Sequence, residues 1–322
     1  MILKNLFNLK SNGYIILIML RPKYNNKKND LIVQLNDWTE SDVVVESDSS
    51  SDDENGNKKN KWFKEKEYVI KAYGITEEGH SISIDFTGFN PYFFIKVPDG
   101  WNRNSIKQFK SRLQSRVNKY SVNSLIKFTV IKRIPYYNFC NYEKTFFIKL
   151  IFKNISGFYS YRKVLRQTSD NPIKVYNEEF DFSKLLYETN ITPMLRFFHE
   201  KNIKPVGWIK LNKSKYSLNY PKKTRCQIDC TINYNDVISI DLDKIGKFVI
   251  ASFDLECTSC DGAFPTATRK EDKIIQIGTT INIFGEEKIY KYIATLKKSN
   301  PIEGTIVEEY ETEMDLLIGW CK

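Results

Sequence analysis

Apolar and polar residues alternate along much of the chain, and in a few stretches the period lengthens from two to about 3.6. Residues 68–75, 80–86 and 92–97 are rich in β-branched and aromatic side chains and read as strands, the second with Ile82, Ile84 and Phe86 in alternation. Pro98-Asp99-Gly100 then turns the chain. Ile106, Phe109, Leu113 and Val117 recur at helical spacing and predict an amphipathic helix over 103–120, with Lys107, Lys110, Arg112 and Arg116 on its other faces. A strand over 145–152 and a second helix over 156–167 follow. Residues 183–201 read as helical, with Thr192 as N-cap, Pro193 at the first position, and Met194, Phe197 and Phe198 as the apolar face. Two strands, 248–257 and 273–281, precede a last helical pattern through Met314, Leu317 and Trp320. The mixture predicts an α/β and α+β protein.

The start of the chain breaks this regularity. The apolar run Tyr14-Ile15-Ile16-Leu17-Ile18-Met19-Leu20 follows Lys4 and Lys10 and precedes Arg21-Pro22-Lys23. It is too short to span a bilayer and has no small-residue cleavage site, so it reads as a leader artefact or a strand, with Met19 as an alternative start. Residues 46–57 are acidic, Ser-rich and nearly free of apolar side chains, which predicts a flexible spacer. The boundaries are therefore 1–60 for leader and flexible segment, 61–245 for a first domain, and 246–322 for the start of a second.

The length of 322 residues suits about two domains, and 41% hydrophobic with 14% aromatic residues is enough for packed cores. Charge adds more. Residues 57–250 carry 35 basic and 17 acidic side chains, while the segments on either side are net acidic. Such an excess points to a polyanionic partner such as nucleic acid, against the simpler reading of a Lys-rich solvated surface. The cysteines are Cys140, Cys226, Cys230, Cys257, Cys260 and Cys321. Without a convincing signal peptide they imply a reducing, intracellular compartment. Cys226-x3-Cys230 and Cys257-x2-Cys260 have the spacing of a four-thiolate zinc site, although buried or incidental thiols are the commoner outcome. The histidines are His80 and His199, lone residues at distant positions that read as solvated or structural, so no Ser/His or Cys/His mechanism is built on them.

The most informative segment is Phe248-Val249-Ile250-Ala251-Ser252-Phe253-Asp254-Leu255-Glu256-Cys257. On a strand Asp254 and Glu256 face the same way, about 6–7 Å apart at Cα. Two carboxylates on one face of a buried strand repel unless a cation lies between them, and oxygen ligands suit Mg²⁺ or Mn²⁺. Such ions can activate water in phosphodiester cleavage. Other acidic-x-acidic pairs, such as Glu65/Glu67 and Glu309/Glu311, read as solvated faces. The competing reading of Asp254/Glu256 is an ordinary surface hairpin.

Several of these words, taken in order, resemble family B (delta-like) DNA polymerases. Ser252-Phe253-Asp254-Leu255-Glu256-Cys257, Asp261-Gly262-Ala263-Phe264-Pro265 and Asp272-Lys273-Ile274-Ile275-Gln276-Ile277 are similar to that family's first exonuclease motif. Tyr310 to Trp320 resembles the helix leading to its second exonuclease motif. Gly88-Phe89-Asn90-Pro91-Tyr92-Phe93-Phe94, Tyr187-Glu188-Thr189-Asn190-Ile191 and Gly207-Trp208-Ile209 resemble its amino-terminal domain. The resemblance covers about residues 61–322 and is closest in wording to polymerases of giant DNA viruses of the mimivirus kind.

The resemblance implies an amino-terminal polymerase domain of mixed type followed by the incomplete start of an RNase H-like 3′→5′ proofreading exonuclease domain. Asp254 and Glu256 would be its catalytic metal ligands, binding Mg²⁺ or Mn²⁺ only in a completed site. The implied partners are DNA, as primer-template or single-stranded 3′ end, the remaining polymerase polypeptide of a split gene, and a sliding clamp, with no membrane. If viral, the chain is expected at the replication site in the host cytoplasm. The family's later motifs, Asn-x3-Phe-Asp and Tyr-x3-Asp, and the palm carboxylates do not follow Glu256 in this sequence. Asn177-Glu178-Glu179-Phe180-Asp181 has the wrong spacing and place. The expectation is a fragment without polymerase or exonuclease activity of its own. A non-catalytic nucleic-acid-binding module at 61–245 and a decayed gene fragment are the alternatives.

Overall fold

A computed structural model describes residues 21–25, 28–45, 65–135 and 140–321. The apolar run 14–20 and the acidic segment 46–57 lie outside the described residues. Among the described residues no helix is long and apolar enough to cross a membrane.

In chain order the elements are β1 (Leu31–Val44), β2 (Lys66–Thr76), β3 (Ser81–Thr87), β4 (Tyr92–Lys96) and α1 (Arg103–Arg116). β5 (Leu125–Arg133), β6 (Thr145–Phe152), α2 (Ile155–Arg166), β7 (Ile173–Val175) and β8 (Glu178–Phe180) follow. Next come β9 (Leu186–Tyr187), α3 (Pro193–Lys201), β10 (Trp208–Leu211), β11 (Tyr216–Leu218), β12 (Ile228–Asn233) and β13 (Ile238–Ile240). The last elements are β14 (Val249–Cys257), β15 (Ile274–Ile283), β16 (Ile289–Leu296), β17 (Thr305–Tyr310) and α4 (Glu313–Cys321).

Seven strands form one sheet in the order β11-β12-β3-β2-β1-β10-β13. β1 is near its centre, pairing with β2 along its length and with β10 at Leu31↔Leu211. The sequence pattern places residues 31–44 in the leader and flexible segment 1–60. The structure instead draws them into the first folded body, because Leu31, Val33 and Leu35 alternate into the core while the far end of the strand is exposed or half-buried. Gly74 fits where β1 and β2 cross closely: a Cβ there would lie 2.2 Å from the Gln34 carbonyl oxygen. α3 covers this sheet with Phe197 and Phe198, whose rings meet Trp38, Phe86 and Phe89.

A second sheet, ordered β5-β6-β4-β9, carries α1 and α2 on one face in a split β-α-β arrangement. Phe109 and Leu113 of α1 and Phe158, Tyr161 and Leu165 of α2 are buried against Phe93, Ile148, Leu150 and Phe152. Asn102 caps α1 through Asn104 N (2.8 Å), and Asn154 caps α2 through Gly157 N (2.8 Å). Asp42 at the end of β1 adds a second cap, accepting from the backbone of Ile155 (2.7 Å) and Ser156 (3.0 Å) and from the Ser156 hydroxyl. This side chain is one of several links from the first sheet to the second unit, beside Tyr68 N to the Lys153 carbonyl (3.0 Å) and the Lys153–Glu67 pair (3.4 Å).

The predicted helix 183–201 is shorter than its pattern suggested. Only Pro193–Lys201 is α-helical, opened by the Thr192 cap to Leu195 N (3.2 Å) and closed by Asn202 in the left-handed region. Glu188 at φ 60° breaks the earlier part, and its carboxylate pairs with Arg196 of the helix.

Candidate active site

The third sheet, β14-β15-β16-β17, is antiparallel except for the parallel pair β16–β17. Ile277, Tyr292 and Ala294 are buried on one face beneath Leu316 of α4. The register β14–β15 sets Phe253 opposite Thr279 and Leu255 opposite Ile277, so both lean toward that helix side. Phe253 packs against the Trp320 ring at 4.8 Å between centroids, and the Trp320 indole N–H donates to Thr279 Oγ1 at 3.0 Å. Strict alternation then presents Asp254 and Glu256 on the opposite face, with Ser252. The structure brings the two predicted ligands together on one face of one strand.

The surroundings differ from the sequence expectation in one respect. The carboxylates do not sit on a buried strand. β14 is the edge of its sheet, and from Ile250 to Cys257 every residue is exposed. An apolar strand sequence reports that one face packs, but not whether a neighbour covers the other edge.

The pair's cross-strand neighbours are Gly278, opposite Asp254, and Gln276, opposite Glu256. A Cβ on Gly278 would meet nothing within 4 Å, so the space beside the Asp254 carboxylate is open. One Asp254 oxygen accepts from the Leu255 backbone at 2.9 Å. Among the described residues neither Asp254 nor Glu256 pairs with a Lys, Arg or His. Two acidic groups on one face, without a cationic partner and with open volume beside them, fit a hard divalent cation. Among the described residues no third His, Cys, Asp or Glu joins them to make a metal-binding group.

Beyond Glu256 the register shifts by one residue and the chain leaves the sheet in a hydrogen-bonded loop. Thr258 N donates to the Lys273 carbonyl at 2.8 Å and closes its base. Asp272 accepts from Thr266 N at 2.9 Å and Cys260 N at 3.0 Å, and Arg269 Nε reaches it at 2.6 Å. These bonds, those from the Thr266 and Cys260 backbone foremost, hold the Asp272 carboxyl well below the usual carboxylate range. Arg269 also donates to the Phe264 carbonyl at 2.6 Å and pairs with Asp261. Sequence reasoning noted Asp261-Gly262 and Asp272 only as family words; the Asp-Gly turn signal, with Gly262 at φ 79°, was the local clue to this clamp.

The thiols are not gathered. Cys230 is buried in the first sheet, where desolvation pushes its thiol up to about 12, whereas Cys257 and Cys260 are exposed near β14. His199 is exposed at the end of α3, and His80 lies in the first sheet unit beside Tyr24.

The family model for "DNA polymerase family B, exonuclease domain" matches residues 185–322. The chain is 34% identical over 270 residues to a DNA polymerase of Acanthamoeba polyphaga mimivirus, covering 80% of this chain and 15% of that protein. It is 31% identical to a DNA polymerase delta catalytic subunit of Glycine max, covering 78% of this chain and 23% of that protein. A solved family B DNA polymerase of the archaeon Pyrobaculum calidifontis shares the fold over 85% of this chain and 28% of its own, with a TM-score of 0.51 at 16% identity. The chain thus spans under a quarter of the curated relatives' length.

Proposed function

Because the chain corresponds to the amino-terminal and exonuclease region of family B DNA polymerases, we propose that it contributes the first half of a 3′→5′ proofreading exonuclease site, with DNA as substrate. The observation that carries this reading is the pair Asp254 and Glu256, presented together on an open strand face and, among the described residues, without a Lys, Arg or His paired to them.

Asp254 and Glu256 are the residues that would hold Mg²⁺ or Mn²⁺. A divalent cation there supplies Lewis-acid stabilisation of the scissile phosphate and lowers the pKa of the attacking water. The chain's own residues do the positioning. Phe253 packs on Trp320 on the helix side of β14, which leaves both carboxylates on the opposite face. Gly278 leaves room for the phosphate and its ion beside Asp254. The loop held by Arg269 and Asp272 fixes the wall after Glu256.

Two carboxylates are too few for a two-ion site, so further acidic ligands come from elsewhere in the polymerase polypeptide, and this chain alone does not cut DNA. Titration of the chain with Mn²⁺, followed by electron paramagnetic resonance, tests the ligand assignment. Binding should weaken at least tenfold in Asp254→Asn and Glu256→Gln. Binding unchanged in both would overturn it. Incubation of the chain with Mg²⁺ and a single-stranded 3′ end should give no shortened product. Digestion lost on Asp254→Ala would refute the claim that further ligands are needed.

A further inference from the structure

The helix layer of the second sheet unit is cationic without exception. α1 carries Arg103, Lys107, Lys110, Arg112 and Arg116, α2 carries Arg162, Lys163 and Arg166, and neither helix contains an Asp or Glu. Arg103, Lys107, Lys110 and Arg112 are exposed. Among the described residues none of these four forms an ion pair; elsewhere Lys204, Lys210 and Lys215 each meet a carboxylate within 3.3 Å.

This arrangement costs the helix stability. Arg103 stands in the first turn, where the helix dipole disfavours a cation. Arg103/Lys107 and Arg112/Arg116 are like-charged at i,i+4, and Lys107/Lys110 at i,i+3. Phe109, Leu113 and the Asn102 cap hold α1 in place against that repulsion. Lys110 also lies over the Phe128 ring at 5.6 Å, but no carboxylate offsets the row, and an anion laid across it would relieve the repulsion.

The geometry points to a second nucleic-acid contact, in which the exposed face of α1 binds the sugar-phosphate backbone of a DNA strand. It is separate from the Asp254/Glu256 face and does not depend on it. Phosphate suits this surface better than an acidic protein does. The exposed residues between the cations include Asn104 and Ser111, hydrogen-bond donors to phosphate, and α1 exposes no large apolar side chain to anchor a protein interface. Base stacking is not offered on the other side of the sheet. Phe94 and Phe147 are 3% exposed there, Arg133 lies over Phe94 at 4.8 Å, and Lys149 lies over Tyr92 at 3.5 Å. The contact is therefore to backbone and independent of sequence.

The test is fluorescence anisotropy of the full chain with a labelled single-stranded DNA across a salt series, comparing two triple variants of equal charge. Lys107→Gln/Lys110→Gln/Arg112→Gln should weaken binding about 10- to 50-fold at 0.15 M salt and flatten the log–log salt slope by about 2. Lys204→Gln/Lys210→Gln/Lys215→Gln should leave both within about twofold. The α1 variant should also unfold at the same or higher temperature, since it loses like-charge repulsion. Equal loss in both variants would reduce the effect to net charge and overturn the proposal, as would unchanged binding by the α1 variant. Capture of an acidic protein without any change in DNA affinity would overturn it too.

Discussion

Asp42 offers the sharpest test of how the two amino-terminal units are joined. It sits at the end of β1 in the seven-stranded sheet, yet its carboxylate closes the first turn of α2 in the other unit. The helix keeps its own cap, Asn154 to Gly157 N, in any Asp42 variant. What is lost is acceptance from Ile155 N at 2.7 Å and Ser156 N at 3.0 Å, and the negative charge at the helix start. Hydrogen bonds to a charged group contribute roughly 1.5–3 kcal/mol each at best, and the dipole term about 0.3–1 kcal/mol. Asp42 is half-buried, so water recovers part of both. Asp42→Ala should therefore cost about 2–3 kcal/mol, above an ordinary cap. Asp42→Asn keeps one carbonyl acceptor and no charge, and should cost about half as much. Urea unfolding followed by tryptophan fluorescence and by far-ultraviolet circular dichroism reads both. In the wild type the two amino-terminal units should melt together; in Asp42→Ala the probes should separate, with the α2 unit first. A loss below about 0.5 kcal/mol with coincident transitions would show that the cap does not couple the units.

Four further outcomes follow from the structure. Phe197→Ala should cost about 3–5 kcal/mol in the same unfolding assay, because a fully buried ring surrounded by Trp38, Phe86 and Phe89 leaves a cavity. Gly278→Val should raise stability by roughly 0.5–1 kcal/mol, since a strand gains a β-branched residue in open space, while weakening Mn²⁺ binding beside Asp254; metal affinity equal to wild type would disconnect that glycine from the site. Asp272 has a folded pKa below its unfolded value of about 3.9, so its stabilisation is full above that value and is lost as pH falls toward the folded one. Asp272→Asn should accordingly flatten the fall in stability between about pH 5 and pH 2.5. Iodoacetamide at pH 8 should label Cys257, Cys260 and Cys321 in the native protein and spare Cys230, which mass spectrometry of tryptic peptides resolves.

Local patterns were legible where one element decides its own state. The alternation of Ile82, Ile84 and Phe86, the Ile106–Phe109–Leu113 spacing and the Thr192-Pro193 start are all found as read. So is the shared face of Asp254 and Glu256, because a strand leaves alternating side chains no other choice. What escaped depends on partners distant in sequence. β1 is a central strand only because β10 arrives from residues 208–211, and the acidic run beyond it masked its alternation. The length of α3 depends on Glu188 turning left-handed to reach Arg196. The exposure of β14 is a property of the sheet's edge, to which hydrophobic periodicity is blind.

The seven-stranded sheet also imposes an order in time. Its strands β1, β2 and β3 are made first, but their outer neighbours β10 and β12 come only after the whole α1–α2 unit has been synthesised. Leu31 waits for Leu211, and Ile82 for Ile228 in the parallel pair β3–β12. The inserted unit, whose contacts are nearer in sequence, can close while the outer sheet is still a three-stranded half with both edges bare. On the ribosome the early strands must therefore remain shielded for the length of an entire second unit. A translational pause soon after residue 187 gives the insert time to fold but leaves the host sheet open. A release site before β10 yields a body that holds its insert and lacks its frame.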